Sequence, residues 1–319
     1  MHLRLNWSRA AIVSVLYMTV MASWCTAQPA PSTTEPATSA PSTPVSPEDI
    51  AYAFRTTLVS GLGMVVVAAA SLLYFRKRLK TDWRWFGVGA AVWTVGVILK
   101  FAWAVPLNKT ILHGLEQAMP APLYQLVAAL YIGLLTGVFE IGITLVAGLL
   151  WKKLSADSSR AIAVGVGAGV FEALLIGLRS LSAAAVLLSG LATEQLVGEV
   201  RAAAQLTFLA WLCGPVERLI AILCHISSRA LTLLTIATGR WRYFWSGFAL
   251  MTALDGVAGY YLLTGQTKTL SIWWIELTIA PFAVLSIPLI RCCLRRWPTT
   301  TAAAVEAERP AEPPATPAT

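Results

Sequence analysis

Residues 161–178 read AIAVGVGAGVFEALLIGL, and this apolar stretch decides the fold class. Glu172 is its single ionisable residue. A helix of about 17–25 predominantly apolar residues is long enough to cross the hydrocarbon core of a bilayer. The stretch therefore predicts a membrane-spanning helix.

The composition of the whole chain agrees with this reading. Of its 319 residues, 57% are hydrophobic and 13% are charged, and the mean hydropathy is +0.67. Soluble domains average about 45–50% apolar and about 25% charged residues. The composition excludes a soluble globular enzyme, a disordered protein and a disulfide-stapled secreted module. We expect an all-α, polytopic helical membrane bundle in contact with lipid.

The hydropathy pattern predicts about seven transmembrane helices. Residues 181–214 are ambiguous, because the apolar run 183–191 is too short to cross a bilayer and could be re-entrant or lie along the surface. The predicted spans are 55–75, 85–105, 123–151, 161 to beyond 179, 215–238, 243–263 and 270–290.

Both ends of the chain differ from this core. Residues 1–27 have the basic, apolar and small-residue regions of a cleavable signal peptide, and an uncleaved anchor helix is the alternative. Residues 28–46 are almost entirely Pro, Ala, Ser and Thr, which predicts a disordered linker. The transmembrane domain then spans 47–297, and 298–319 form a second disordered tail.

The basic residues indicate the orientation. The net charge is +8, but these residues lie in short runs beside apolar segments, which fits membrane orientation rather than nucleic-acid binding. With the N-terminus outside and the C-terminus cytoplasmic, 13 basic residues fall on the inner side: Arg76, Lys77, Arg78, Lys80, Arg84, Lys152, Lys153, Arg160, Arg240, Arg242, Arg291, Arg295 and Arg296. We therefore expect a multi-pass protein of the cytoplasmic (inner) membrane.

Six ionisable residues lie in or near the predicted spans. Each would cost about 2.5–3.5 kcal/mol at mid-bilayer if it faced lipid alone. We therefore expect them to face inward and to find partners, with Lys100, Arg179 or Arg229 as candidates for the first two acids. A seventh, Glu276, is expected at the interface. The six are Glu140, Glu172, Glu217, Arg218, His225 and Asp255.

Helical spacing places several of these groups. Arg218, His225 and Arg229 fall on one stripe of a helix. Small residues recur every fourth position along the fourth span, which predicts a close helix contact beside Glu172. They are Ala161, Gly165, Gly169 and Ala173.

Four short motifs together resemble a known family. They are Phe139-Glu140, the stretch 165–173 that ends in Phe171-Glu172-Ala173, the stretch from Glu217-Arg218 to His225, and Ala253-Leu254-Asp255. In order and spacing they resemble the YhfC-like family of bacterial membrane proteins, which is grouped with the CAAX-type and PrsW-type intramembrane metalloproteases. The resemblance covers about residues 139–261.

The resemblance implies a zinc ion and an acid that activates its bound water against a transmembrane peptide substrate. It assigns catalysis to Glu140 and Glu172 and metal binding to His225 and Asp255. Glu217 and Arg218 are predicted to form a structural ion pair. For the metal ligands the alternatives are that His225 is a neutral core histidine and that Asp255 bonds across a helix contact.

Three departures from the family pattern affect this centre. Ile141 replaces a second Glu, and Ala168 and Met251 stand where the family has histidines. A catalytic zinc normally has three protein ligands and a water. The sequence thus predicts an intramembrane metallopeptidase-like protein with an altered or inactive centre. Its alternatives are an ion- or proton-coupled transporter of small solutes and a non-catalytic membrane scaffold.

Overall fold

The computed structural model describes residues 46–298, apart from 190–196, 199, 202–204 and 206. The predicted signal peptide therefore lies outside the described residues, as do the linker and the tail except for Ser46 and Pro298.

The described chain is helical, and no strand occurs within it. Helices α3 and α4 continue each other through a π-helical turn at Gly137–Gly142, so that the eight helices form seven long segments. Two short 3-10 helices, Lys152–Ser155 and Gln266–Lys268, lie in connections. The helices are α1 Pro47–Leu79, α2 Trp83–Ala118, α3 Ala121–Thr136, α4 Ile143–Leu150, α5 Ser158–Leu188, α6 Ala210–Thr238, α7 Arg242–Leu263 and α8 Trp273–Arg296.

The prediction of a polytopic helical bundle is confirmed. Six of the seven segments are long and apolar enough to cross a membrane, and the seventh is α7, with 22 residues. Helix α1 begins at a capping box, in which the Ser46 hydroxyl accepts from the Asp49 backbone N–H. Residues 181–188, which the sequence left ambiguous, are the last turns of α5.

Helices α5 and α6 form the centre of the bundle. In the most apolar windows of these two helices 72% and 78% of the residues are buried, against at most 39% in the other candidate spans. Glycine permits their close contact, since a Cβ on Gly165 would lie 2.6 Å from the Ile226 Cα. On another face of α5, a Cβ on Gly167 would lie 1.9 Å from the Phe86 carbonyl oxygen in α2. The small-residue contact predicted from sequence is present.

The two ends of the bundle differ in charge and packing. We call the end that carries Arg76–Arg78, Lys152–Lys153 and Arg295–Arg296 the basic end. A closed apolar core fills this half of the bundle, and Ala161, Val164 and Leu233 are each fully buried within it. The polar residues lie at mid-height and toward the opposite end.

Candidate functional site

A cavity of about 300 Å³ lies between α2, α3, α5, α6, α7 and α8. On each helix its lining residues run from mid-height toward the opposite end, as from Glu140 back to Ile132 in the third span. All six ionisable residues singled out from the sequence line it, together with Lys100.

Glu140 owes its position to the π-helical turn. This wide turn is rare and often marks functional sites. The Glu140 side chain is buried, and both its oxygens accept hydrogen bonds from cations. Lys100 Nζ donates to Oε1 at 2.8 Å, and Arg229 Nη2 donates to Oε2 at 3.2 Å. The turn thus joins α2 and α6 through one carboxylate.

Glu172 sits beside a close contact between α5 and α6. A Cβ on Gly169, one turn before it, would lie 3.1 Å from the His225 Cβ. Arg218 Nη1 donates to Glu172 Oε1 at 2.6 Å, and His225 Nε2 lies 2.7 Å from Glu172 Oε2. The second guanidinium nitrogen of Arg218 donates to Glu217, whose side chain is 45% exposed.

The two contacts of the His225 ring favour one tautomer. Its Nδ1 faces Nη1 of Arg229, one turn further along α6. A guanidinium can only donate hydrogen bonds, so Nδ1 must accept. Nε2 must then carry the proton and donate it to the Glu172 carboxylate. In this arrangement both ring nitrogens are engaged by protein groups.

Asp255 is joined to the same network from α7. Its Oδ2 accepts from the Thr136 hydroxyl, which in turn accepts from Lys100 Nζ at 3.2 Å. A chain of hydrogen bonds therefore connects five spans. It runs through Asp255, Thr136, Lys100, Glu140, Arg229, His225, Glu172, Arg218 and Glu217.

Within the described chain, one group of three residues could hold a metal ion. Glu140, Glu172 and His225 each offer a ligand atom, and these atoms lie within 4.8 Å of one another. Asp255, predicted as a ligand, is not in this group, and its role stays a prediction, as does the identity of the metal as zinc.

The hydrogen bonding of this group does not fit a metal. A metal-bound histidine normally donates its other N–H to a carboxylate or a carbonyl oxygen. With a metal on Nε2, the other nitrogen, Nδ1, would meet a permanent cation, Arg229, which can only donate. A metal on Nδ1 would have to displace that guanidinium. The spacing of the three residues suits a metal ion, but their surroundings as arranged do not.

The positions of the two absent histidines are close to this group. Ala168 is fully buried one helical turn before Glu172, and Met251 lines the cavity with His225. Neither a methyl group nor a buried thioether replaces an imidazole as a zinc ligand.

The sequence predicted most of these residues but not all of their ion-pair and hydrogen-bond partners. Lys100 and Arg229 were candidate partners, and both pair with Glu140, whereas Glu172 pairs with Arg218. Thr136 was missed, because a threonine in an apolar span carries no distinctive signal. Glu276 was expected at the interface and is instead buried, with 4% of its surface exposed.

The fold and the site define a class: helical membrane proteins with a polar centre enclosed between their spans. Within this class, the chain belongs to the YhfC intramembrane metalloprotease family, whose model matches residues 63–279, more than half of the chain. The match includes every residue of the network described above. Comparisons with curated proteins and with solved structures give no match.

Proposed function

We propose that this protein binds an apolar, membrane-embedded peptide segment in its cavity and does not hydrolyse it. The observation that carries this proposal is the lack of a ligating nitrogen at two positions: Met251 lines the cavity, and Ala168 is fully buried one helical turn before Glu172. The chain matches the family over residues 63–279 and encloses a polar cavity, while two of the histidines that the resemblance leads us to expect for a catalytic zinc are absent.

The cavity has the chemistry that such a segment requires. Its walls carry apolar side chains such as Val97, Phe101 and Ile132, and its polar groups converge at mid-height. At about 300 Å³ it is at the lower limit for ligand pockets, which gives room for one or two side chains of a peptide. This arrangement would hold a side chain of the bound peptide in apolar surroundings. The polar groups of the cavity would offer hydrogen-bond partners to the backbone of that peptide.

An active zinc peptidase is the second candidate. The close approach of Glu140, Glu172 and His225 favours it. In that case His225 and Asp255 are metal ligands and Glu140 or Glu172 is the general base, as the resemblance implies. Such activity depends on bound metal. The crosslinking experiment described below, repeated with a chelator, therefore separates the two candidates.

Two features count against a transporter. The apolar core of the basic end closes the bundle below the cavity. The hydrogen-bonded chain starts at Asp255 and ends at Glu217, and both residues line the same cavity. A proton relay across the membrane would need to reach both sides of it.

The proposed setting is a bacterial inner membrane, with the N-terminus outside and the basic end in the cytoplasm. This orientation rests on the positive-inside rule. A signal peptide over residues 1–27, a linker over 28–46 and a cytoplasmic tail over 298–319 belong to the same proposal.

Photocrosslinking in bacterial membranes tests the proposed function. A photoreactive amino acid replaces Ile132, which lines the cavity, or Leu130, which is 54% exposed on the outside of the same helix. The cells co-express a panel of single-span reporter proteins, each tagged at both ends. We expect full-length adducts of a reporter from position 132 and none from position 130.

Two results would refute the proposal. Equal adduct formation at both positions, or none at position 132, means that the cavity does not hold a segment. Reporter fragments that disappear on His225→Gln or with a chelator mean that the protein is an active metallopeptidase.

A further inference from the structure

We propose that Arg229 is a built-in cation in the place of the metal: its guanidinium holds Glu140 and His225 together and makes the centre metal-free. This inference concerns the cation of the centre and does not depend on what the cavity binds.

The location of Arg229 supports this role. It lies on α6 one turn after His225, and its side chain is completely buried. Two of its nitrogens bond two of the three residues that could share a metal, Nη1 to His225 Nδ1 and Nη2 to Glu140 Oε2. A guanidinium stays protonated in proteins, so its charge is as permanent as that of a metal ion.

A metal on His225 and Arg229 in this position exclude each other. Binding through Nε2 moves the ring proton to Nδ1, where two donors would then face each other. Binding through Nδ1 requires the guanidinium to leave its buried position. In either case the hydrogen bond between Arg229 and His225 must break before His225 can bind a metal ion.

The charges of the centre favour the same conclusion. Glu140, Glu172 and Glu217 are paired with the cations Lys100, Arg218 and Arg229. A divalent ion would add two positive charges to this balanced set, and the cavity lining holds one further carboxylate, Asp255, to offset them. Uncompensated charge in a low-dielectric interior is strongly unfavourable.

The experiment compares zinc binding by the purified full-length protein and its variants in detergent. Zinc content after dialysis and the thermal unfolding midpoint are measured with added Zn²⁺ and with a chelator. We expect the natural protein to hold no stoichiometric zinc and its midpoint to be the same in both conditions.

Arg229→Ala is the test variant. It releases the His225 ring and one Glu140 oxygen, so we expect a lower midpoint, a gain of one equivalent of zinc and partial recovery of the midpoint with zinc. Arg229→Ala combined with His225→Gln is the matched control and should gain no zinc. Cobalt substituted for zinc reports coordination through its visible absorption.

The inference is overturned if the natural protein holds one equivalent of zinc that His225→Gln removes. It is also overturned if Arg229→Ala keeps the natural midpoint and gains no zinc. If Arg229→Ala does not fold, Arg229→Lys is compared with the natural protein. Lysine cannot bridge both Glu140 and His225, so a lower unfolding midpoint of Arg229→Lys without zinc supports the inference. An unchanged midpoint contradicts it. A metal-free protein that gives no crosslinks would refute only the proposed function.

Discussion

Replacing Glu140 by glutamine should destabilise the protein far more than the loss of one exposed charge would. Glu140 is 97% buried and accepts from two cations, Lys100 and Arg229. Glutamine has one oxygen and one amide nitrogen, and the nitrogen would face a cation that can only donate. The variant therefore leaves a buried positive charge without its partner.

The size of the effect follows from that geometry. Removing one partner of a buried ion pair costs about 3–5 kcal/mol. Net stabilities of proteins are about 5–15 kcal/mol, so a large part of the stability is at stake. For a domain of 150–250 residues about 1 kcal/mol corresponds to about 2–4 °C, which gives a fall of about 6–20 °C in the midpoint.

Thermal unfolding of the detergent-solubilised protein measures this fall. Glu116→Gln is the control, because the Glu116 side chain is 55% exposed and, within the described part of the chain, its ion pair is with the exposed His113. Exposed substitutions usually change stability by within about 0.5 kcal/mol. If Glu140→Gln shifts the midpoint no more than Glu116→Gln does, the acids do not form a buried, charge-paired centre and the reasoning fails.

Three further predictions concern the packing, Asp255 and the orientation. Gly167→Ala should cost about 1–3 kcal/mol or more, because its Cβ would meet the Phe86 carbonyl oxygen. Gly87→Ala should be neutral or stabilise α2 by up to about 1 kcal/mol, since no other helix of the described chain lies within 4 Å of its Cβ. Equal midpoints for the two variants would contradict the tight contact of α2 and α5. Asp255→Asn keeps an oxygen that accepts from Thr136, so we expect a loss of about 1 kcal/mol by thermal unfolding and, as in the natural protein, no stoichiometric zinc. Zinc that the natural protein holds and Asp255→Asn loses would show that Asp255 is a ligand. An impermeant maleimide should label Glu116→Cys in intact cells and Asp82→Cys only after the cells are opened, and the reverse pattern would invert the proposed orientation.

The fold was largely predictable, because lipid imposes one rule on every residue. An apolar run such as 161–178 must be a helix in a bilayer, since every backbone polar group has to be satisfied within the segment. The small residues along α5 also predicted its close contact with α6. Helix ends were less predictable: α2 continues through Pro106 to Ala118, beyond the apolar run that marks its span.

The site was predictable in its members and less so in its connections. Because burying an unpaired charge is costly, Glu140, Glu172 and Arg218 had to face inward. For the same reason Lys100 and Arg229 were candidate partners. Which cation meets which acid depends on the rotation of each helix. The π-helical turn at Gly137–Gly142 sets that rotation for Glu140. No periodicity in the sequence predicts this turn.

The protonation of His225 tests the metal-free centre most directly. Nitrogen-15 NMR of the histidine-labelled protein reports whether each ring nitrogen carries a proton, and His225→Gln identifies the signals among the three histidines of the chain. We expect a neutral ring with the proton on Nε2 and an unprotonated Nδ1 that accepts from Arg229. A ring with an unprotonated Nε2 and a protonated Nδ1, as a metal on Nε2 requires, would contradict the account.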